Sequence, residues 1–418
     1  MSPPISGRNC DSEAIMHKEV LDITTEPRRL DGRSMKWAVI GAIIGVIGFA
    51  GSYMVASGTE GGMDYLLQTY LVSFAFFLSL SLGALFFVML QHLTRAGWSV
   101  VVRRIAEVLA ANVWLMAVLA IPIVLGIEHL YHWAHVGAAE HDALIAGKSG
   151  FLNTNFFIIR LAIYFSIWSI LAWFFYRVSV KQDGNADPAL TRRMEIVSAP
   201  GMVLFALSLN FAAFDLLMSL DPHWFSTIYG VYYFASSVLL FFAVMPKILV
   251  WLQAQGLMKN AVTIEHYHDI GKFMFAFTVF WAYIAFSQYM LIWYGNIPEE
   301  TEWFLKRQTG GWTAISLTLL FGHFVLPFLM LISRHVKRRP VLLAVIGVYV
   351  AGMCWIDMYW LVIPEFSPGV ARFGLLDILV YLGIAGIYSA VIAWRLGRTS
   401  LIPEGDPRLQ ESLAFENA

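Results

Sequence analysis

The chain has two cysteines, Cys10 and Cys354, in 418 residues. One stands in a polar N-terminal stretch and the other inside an apolar run, so neither a disulfide framework nor a four-cysteine metal site can be assembled from them. There is no C-x-x-C-H haem attachment and no cysteine set for an iron–sulfur cluster, and no Walker loop to hold ATP. Charge is scarce as well. Charged residues are 14% of the sequence, where a soluble protein carries about 25%. So little polar surface excludes a water-soluble enzyme, and nucleic acid is not an expected partner. The net charge of −1 points to no partner, because the charges are segregated by connection.

What is present is apolar. Hydrophobic residues make up 58% of the chain, and the mean hydropathy is +0.65. Backbone polar groups in lipid must be satisfied within each segment, so runs of about 20 apolar residues predict helices. Ten can be read, near 37–56, 67–90, 106–128, 153–176, 196–219, 226–251, 271–294, 313–333, 341–362 and 374–395. The expected fold is an all-α polytopic membrane protein: a tail over 1–36, a ten-helix domain over 37–395 and a second tail over 396–418. The first tail has no signal-peptide pattern. The stretch after Pro403, short and acidic, is expected to be flexible.

Basic residues set the orientation. Arg8, Lys18, Arg28, Arg29, Arg33 and Lys36 precede the first span. Arg103 and Arg104, Arg192 and Arg193, Lys259, and Lys337 to Arg339 fall in connections on that same side, and Arg395, Arg398 and Arg408 follow the last span. The opposite side holds only Lys148, Lys306, Arg307 and Arg372, so both termini are predicted to be cytoplasmic. Trp37, Tyr70, Trp173, Trp251, Trp293 and Trp394 fall near span ends, as interfacial anchors do.

Against this background, Arg160, Asp215, His323 and Asp357 are the informative residues. A charge near a bilayer centre costs roughly 2.5–3.5 kcal/mol on insertion scales. At about 1.5 Å per residue, Arg160 lies roughly 10 Å below the non-cytoplasmic boundary, Asp215 and Asp357 about 8 Å and His323 about 15 Å. Gln288 is at similar depth, and Glu128, His129, Asp221, His223 and Asp377 edge the same face. The cytoplasmic halves offer mainly neutral groups such as Asn112. A polar pocket toward the non-cytoplasmic side is therefore expected.

Each residue also admits a purely structural role. Arg160 can pair with Asp215 or Asp357 and hold the bundle together, and His323 can be a hydrogen-bonded packing residue. Asp221-Pro222 fits a helix N-cap with proline at the first position. Glu299, Glu300 and Glu302 after Pro298 fit an acidic first helical turn. His129, His132 and His135 read as solvated more readily than as metal ligands, and His266 and His268 are expected in solvent. The chemical alternative is proton handling at His129, Arg160, Asp215, Gln288, His323 and Asp357, with a quinol as the candidate substrate. A quinol gives up two protons and two electrons, and histidine or a buried carboxylate can take the protons. Only His323 is deep enough to ligate a membrane haem, so this chain alone binds no redox cofactor.

Three segments, Ser219–Tyr233 (SLDPHWFSTIYGVYY), His268–Phe275 (HDIGKFMF) and Phe280–Glu302 (FWAYIAFSQYMLIWYGNIPEETE), resemble the NrfD/PsrC-like membrane subunits of the bacterial alternative complex III. The ActF-type subunit is the nearer match and the ActC-type its paralogue. The resemblance implies a place in a quinol oxidoreductase of the bacterial inner membrane that passes electrons to cytochrome c or a terminal oxidase. It also implies a homologous ten-span neighbour, with iron–sulfur clusters and haem c in partner subunits. Spans 2–5 and 6–9 would form two four-helix bundles with spans 1 and 10 outside. His129, Arg160 and Asp215 then belong to one bundle, and Gln288, His323 and Asp357 to the other. In such complexes the ActC-type subunit lies against the iron–sulfur protein, so proton translocation or scaffolding suits an ActF-type chain at least as well as quinol binding. A secondary transporter and a purely structural anchor remain the alternatives.

Overall fold

The structure, a computed structural model, describes residues 26–417. Most of the predicted N-terminal tail, with Arg8, Cys10 and Lys18, lies outside the described residues. Among the described residues, ten helices are long and apolar enough to cross a membrane: span 1 Gly32–Ser57, span 2 Gly62–Leu93, span 3 Val100–Leu125, span 4 Thr154–Gln182, span 5 Pro188–Leu220, span 6 Tyr229–Ala254, span 7 Ile264–Gly295, span 8 Trp312–Leu331, span 9 Pro340–Glu365 and span 10 Leu375–Leu396. They coincide in order with the ten predicted segments, and every regular element among the described residues is helical. The chain is an all-α, multi-pass integral membrane protein.

Several helices outrun their apolar stretch, because apolarity marks the buried length while capping marks the helix end. Span 5 starts at Pro188 rather than near 196: Asp187 accepts the Ala189 N–H at 2.9 Å, and Pro188 occupies the first turn. Span 7 starts at Ile264 rather than near 271, where Thr263 and His266 form a reciprocal cap and the His266 Nδ1 accepts the Thr263 N–H at 3.1 Å. His266 and His268 are therefore buried inside a helix instead of solvated. The Asp221 N-cap also fails. The next helix begins only at Tyr229, and Asp221 instead accepts the His223 N–H at 3.1 Å and a Lys306 ammonium hydrogen bond at 3.0 Å. The acidic turn after Pro298 is present as the start of a short helix, Pro298–Gln308, with Glu299 and Glu300 in its first turn.

Spans 2–5 pack as one four-helix group and spans 6–9 as another, joined by span 6 and span 9 against span 2. Span 2 lies between the groups and is buried along nearly its whole length. Spans 1 and 10 stand outside as a tight pair. Their backbones touch through glycine: a Cβ on Gly48 would come within 2.4 Å of the Gly383 nitrogen, and one on Gly386 within 2.3 Å of the Gly45 nitrogen. Close approach through small residues is how helices associate in lipid, where apolar burial gives no advantage over the tails.

Both described ends meet on one face, with the Leu401 N–H bonded to the Arg28 carbonyl at 2.8 Å. That face is called the terminal face below and its opposite the far face. The C-terminal stretch is not a loose tail. It packs through the helix Leu409–Leu413, its Ser412 hydroxyl donates to the Trp98 carbonyl at 2.7 Å, and its Asp406 pairs with Arg103.

Candidate functional site

Two fully buried aspartates mark the far half of the two bundles. In the first, Asp215 on span 5 receives a forked pair of hydrogen bonds from Arg160 on span 4, Nε to Oδ2 at 2.8 Å and Nη2 to Oδ1 at 2.7 Å. The Tyr164 hydroxyl adds a third at 2.9 Å. The remaining Arg160 nitrogen, Nη1, reaches the Phe151 carbonyl at 2.8 Å, and the guanidinium lies 3.8 Å from the Phe151 ring centroid and 4.4 Å from that of Phe156. Every charged atom is matched. Such a bidentate pair offsets its own desolvation through geometry.

The second carboxylate, Asp357 on span 9, meets no cation. Its donors are neutral: the Tyr232 hydroxyl to Oδ1, the Trp281 indole Nε1 to Oδ2 at 3.1 Å and the Ser236 hydroxyl to Oδ2 at 3.3 Å. Spans 6 and 7 supply all three. The Trp281 ring carries His323 on its other side, with centroids 4.0 Å apart. His323 is fully buried, its Nε2 lies 3.5 Å from the Cys354 Sγ, and its Nδ1 has no hydrogen-bond partner.

The backbone of span 8 explains how a histidine comes to sit there. Leu319–Val325 is a π-helical stretch, and Pro327 follows in the first turn of the resumed α-helix. Proline has no N–H to return to the carbonyl four residues back, which is that of His323. A widened turn takes up the mismatch, and such π-bulges recur at functional sites.

A cavity of about 720 Å³ lies between spans 7 and 8 against this group. Tyr232 and Trp281 form part of its wall, so Asp357 stands one hydrogen bond behind the surface of the cavity. Gln288 lines it too, 4% exposed, with an amide oxygen that meets no donor. The rest is mainly aromatic and aliphatic, and Phe286, Leu317 and Leu320 on the same wall face the apolar exterior. No protein-family profile matches the chain, and no curated protein matches it.

Thus Gln288, His323 and Asp357 gather around Trp281 and its cavity, while Arg160 and Asp215 form a separate network with no bonding partner in common. His129 joins neither. Its ring is largely exposed and pairs with Asp64 at 2.9 Å, while the His135 ring bonds the Glu128 carbonyl at 2.5 Å. Asp377 is bound by Tyr65 at 2.9 Å and Thr69 at 2.7 Å and accepts the Gly374 N–H at 2.9 Å, which makes it a cap for span 10. Among the described residues no three potential metal ligands come together.

The halves near the terminal face are more polar than expected. Arg103 and Arg104 are buried within span 3 rather than free in a connection. Arg104 meets Asp183 twice at 2.9 Å and Glu107 at 3.0 Å, while Arg103 meets Glu107 at 3.5 Å and Asp406. Burial pushes the Asp183 carboxyl above its ordinary value despite the Arg104 guanidinium beside it. The spacing of Arg103, Arg104 and Glu107 at three and four residues could have disclosed half of this network; Asp183 and Asp406 arrive from distant segments. His92 on span 2 is buried too, with neither ring nitrogen bonded. At the far face, Arg307 is another buried cation, paired with Glu365 at 2.8 Å and bonded to the Trp303, Trp360 and Leu361 carbonyls.

Proposed function

We propose that this chain is a membrane subunit of a quinol-oxidising respiratory complex of the alternative complex III kind, and that it handles protons at Asp357. The observation that carries the proton-handling part is a buried carboxylate held only by neutral donors behind the wall of a cavity open to the apolar exterior. Gaining or losing a proton at Asp357 breaks no ion pair. At Asp215 the same event would strand the Arg160 charge.

A quinol ring fits the chemistry of the cavity. Aromatic walls take its faces, and the Gln288 amide offers an acceptor and donors for its hydroxyls. A hydroxyl proton passed to the Tyr232 oxygen, as Tyr232 hands its own to Asp357, moves charge inward without forming a phenolate. The two electrons of the quinol have no acceptor in this chain, so they pass to iron–sulfur or haem c centres of partner subunits. The resemblance of the three segments Ser219–Tyr233, His268–Phe275 and Phe280–Glu302 supports that assignment, and with it the bacterial cytoplasmic membrane, cytoplasmic termini and a homologous ten-span neighbour. The first bundle favours the anchoring role for its own charges, since each guanidinium nitrogen of Arg160 is already bonded and both Asp215 oxygens face that cation.

The test uses the assembled complex in liposomes. Asp357→Asn and Tyr232→Phe are expected to assemble normally and to lose at least about tenfold in turnover or in proton release, the scale of a missing acid–base group. Normal values for both variants would leave a scaffold. A chain that purifies without haem or iron–sulfur partners would refute membership of the complex, and solute uptake by that chain alone would establish a transporter.

A further inference from the structure

Spans 1 and 10 rest on span 2 and leave a gap toward the second bundle. A cavity of about 1190 Å³ occupies it, lined mainly by spans 1, 2, 6, 9 and 10, with Leu109 of span 3 and Ile315 and Thr318 of span 8 at its edges. Along span 10 it extends from Asp377 to Leu396, roughly 28 Å at about 1.5 Å per residue and close to the ~30 Å hydrocarbon core of a bilayer. The lining is overwhelmingly apolar, with Phe77, Tyr381 and Tyr388 on one side and Val348 and Ile356 on the other. Gly352, in the middle of span 9, would meet nothing within 4 Å if it carried a Cβ. An empty gap of this size forfeits the dispersion contacts of its whole lining, so in a membrane acyl chains fill it.

The mouth at the terminal face is basic and aromatic. Lys247 lines the cavity there, beside Trp37 and Trp251, whose rings meet edge to face at 5.6 Å. Lys36, next to Trp37, and Lys247 are exposed and make no hydrogen bond or ion pair among the described residues. Arg33, one turn before Trp37, gives its Nη1 to the Gln255 carbonyl at 2.7 Å, which holds it beside the end of span 6. Of the carboxylates on that side, Glu404 pairs with Arg28 and Glu26 accepts the Asn260 N–H at 2.6 Å, while Asp31, two residues before Arg33, is exposed at the start of span 1. Three cations around an indole pair, above an apolar channel, complement a phosphate on two hydrocarbon chains.

We propose that this groove is a binding site for one anionic glycerophospholipid of the leaflet at the terminal face. Its phosphate lies among Arg33, Lys36 and Lys247, and its chains run along Ala243, Tyr388 and Ile392. The lipid serves as the packing element between the outer helix pair and the second bundle, and the proposal stands apart from any respiratory role.

The protein, with whatever subunits accompany it, is purified in mild detergent and its retained lipid identified by mass spectrometry. Phosphatidylglycerol or cardiolipin is expected at several-fold enrichment over the membrane extract. Lys36→Gln/Lys247→Gln should abolish the enrichment without loss of fold, and Gly352→Leu, which fills open space, should lower the total lipid retained. In nanodiscs, the wild type should melt several degrees higher in phosphatidylglycerol than in phosphatidylcholine, and the double variant should show no difference. Enrichment that survives the double variant, retention of neutral lipid alone, or an isoprenoid quinone in place of phospholipid would each overturn the proposal.

Discussion

Asp215 and Asp357 are the same residue type, equally buried, at matching positions of two neighbouring bundles. Asp215 meets a guanidinium that satisfies both its oxygens, and all of Arg160's donor nitrogens are bonded. Asp357 meets a phenol, an indole and a hydroxyl, with a half-bonded histidine across the indole and a cavity beyond. Burial alone therefore says little about role. A carboxylate with a full cationic partner is a strut, while one held by neutral donors can change its proton count without dismantling the packing around it.

The strongest way to break that contrast is to remove one half of the strut. Arg160→Leu strands the Asp215 charge, and breaking a buried pair costs about 3–5 kcal/mol. Thermal unfolding in detergent should show a larger loss for this variant than for any of those that follow. Arg160→Leu/Asp215→Leu should recover most of it, because an apolar replacement of a whole pair is close to neutral. If the double variant were as unstable as the single, the pair would be doing more than balancing charge.

The converse variant is Asp357→Asn, which keeps the shape and removes only the titratable group. Stability should change by about 1 kcal/mol or less, the worth of a typical hydrogen bond, while turnover or proton release falls at least about tenfold. A large stability loss with activity intact would make both aspartates struts. Gln288→Leu sharpens the comparison further: unfolding should be nearly unchanged, because the amide oxygen has no protein partner to lose, and the KM for quinol should rise several-fold with kcat little altered.

The smallest expected effect lies outside the membrane, between Asp142 and His223. Their hydrogen bond at 2.5 Å, together with the Ile145 and Leu144 amides, holds the Asp142 carboxyl below its ordinary value. A depressed carboxyl gives its full contribution above the ordinary aspartate range near pH ~4 and loses it as pH falls through the folded value. Hydrogen exchange over residues 138–148, corrected for intrinsic rates, should be level from pH 7 to about 5 and faster below about pH 4. His223→Ala should move that onset upward.

Much of the fold was legible beforehand because lipid imposes one rule on every segment. Ten apolar stretches mapped onto ten helices, and the polar residues inside them stood out by their cost. Errors gathered where caps and tertiary partners decide. Arg103 and Arg104 looked like connection charges until Glu107, Asp183 and Asp406 surrounded them. His266 looked solvated until it closed the cap of span 7, and the acidic C-terminal stretch looked loose until Asp406 met Arg103. Of the six candidate site residues, His129 proved to be a surface partner of Asp64, Arg160 and Asp215 formed one network, and Asp357 and His323 met about Trp281 with Gln288 on the wall of the cavity beside it.

The sequence by itself determined that this chain crosses a membrane as a bundle of helices and which few side chains bear a charge there, because hydropathy and charge are properties of residues one at a time. Only the tertiary structure decided which carboxylate met a cation, which histidine was left half-bonded by a proline-widened turn, and where helices stood apart to leave room for a guest. Those outcomes depend on which residues, distant in the chain, arrive at the same point in space.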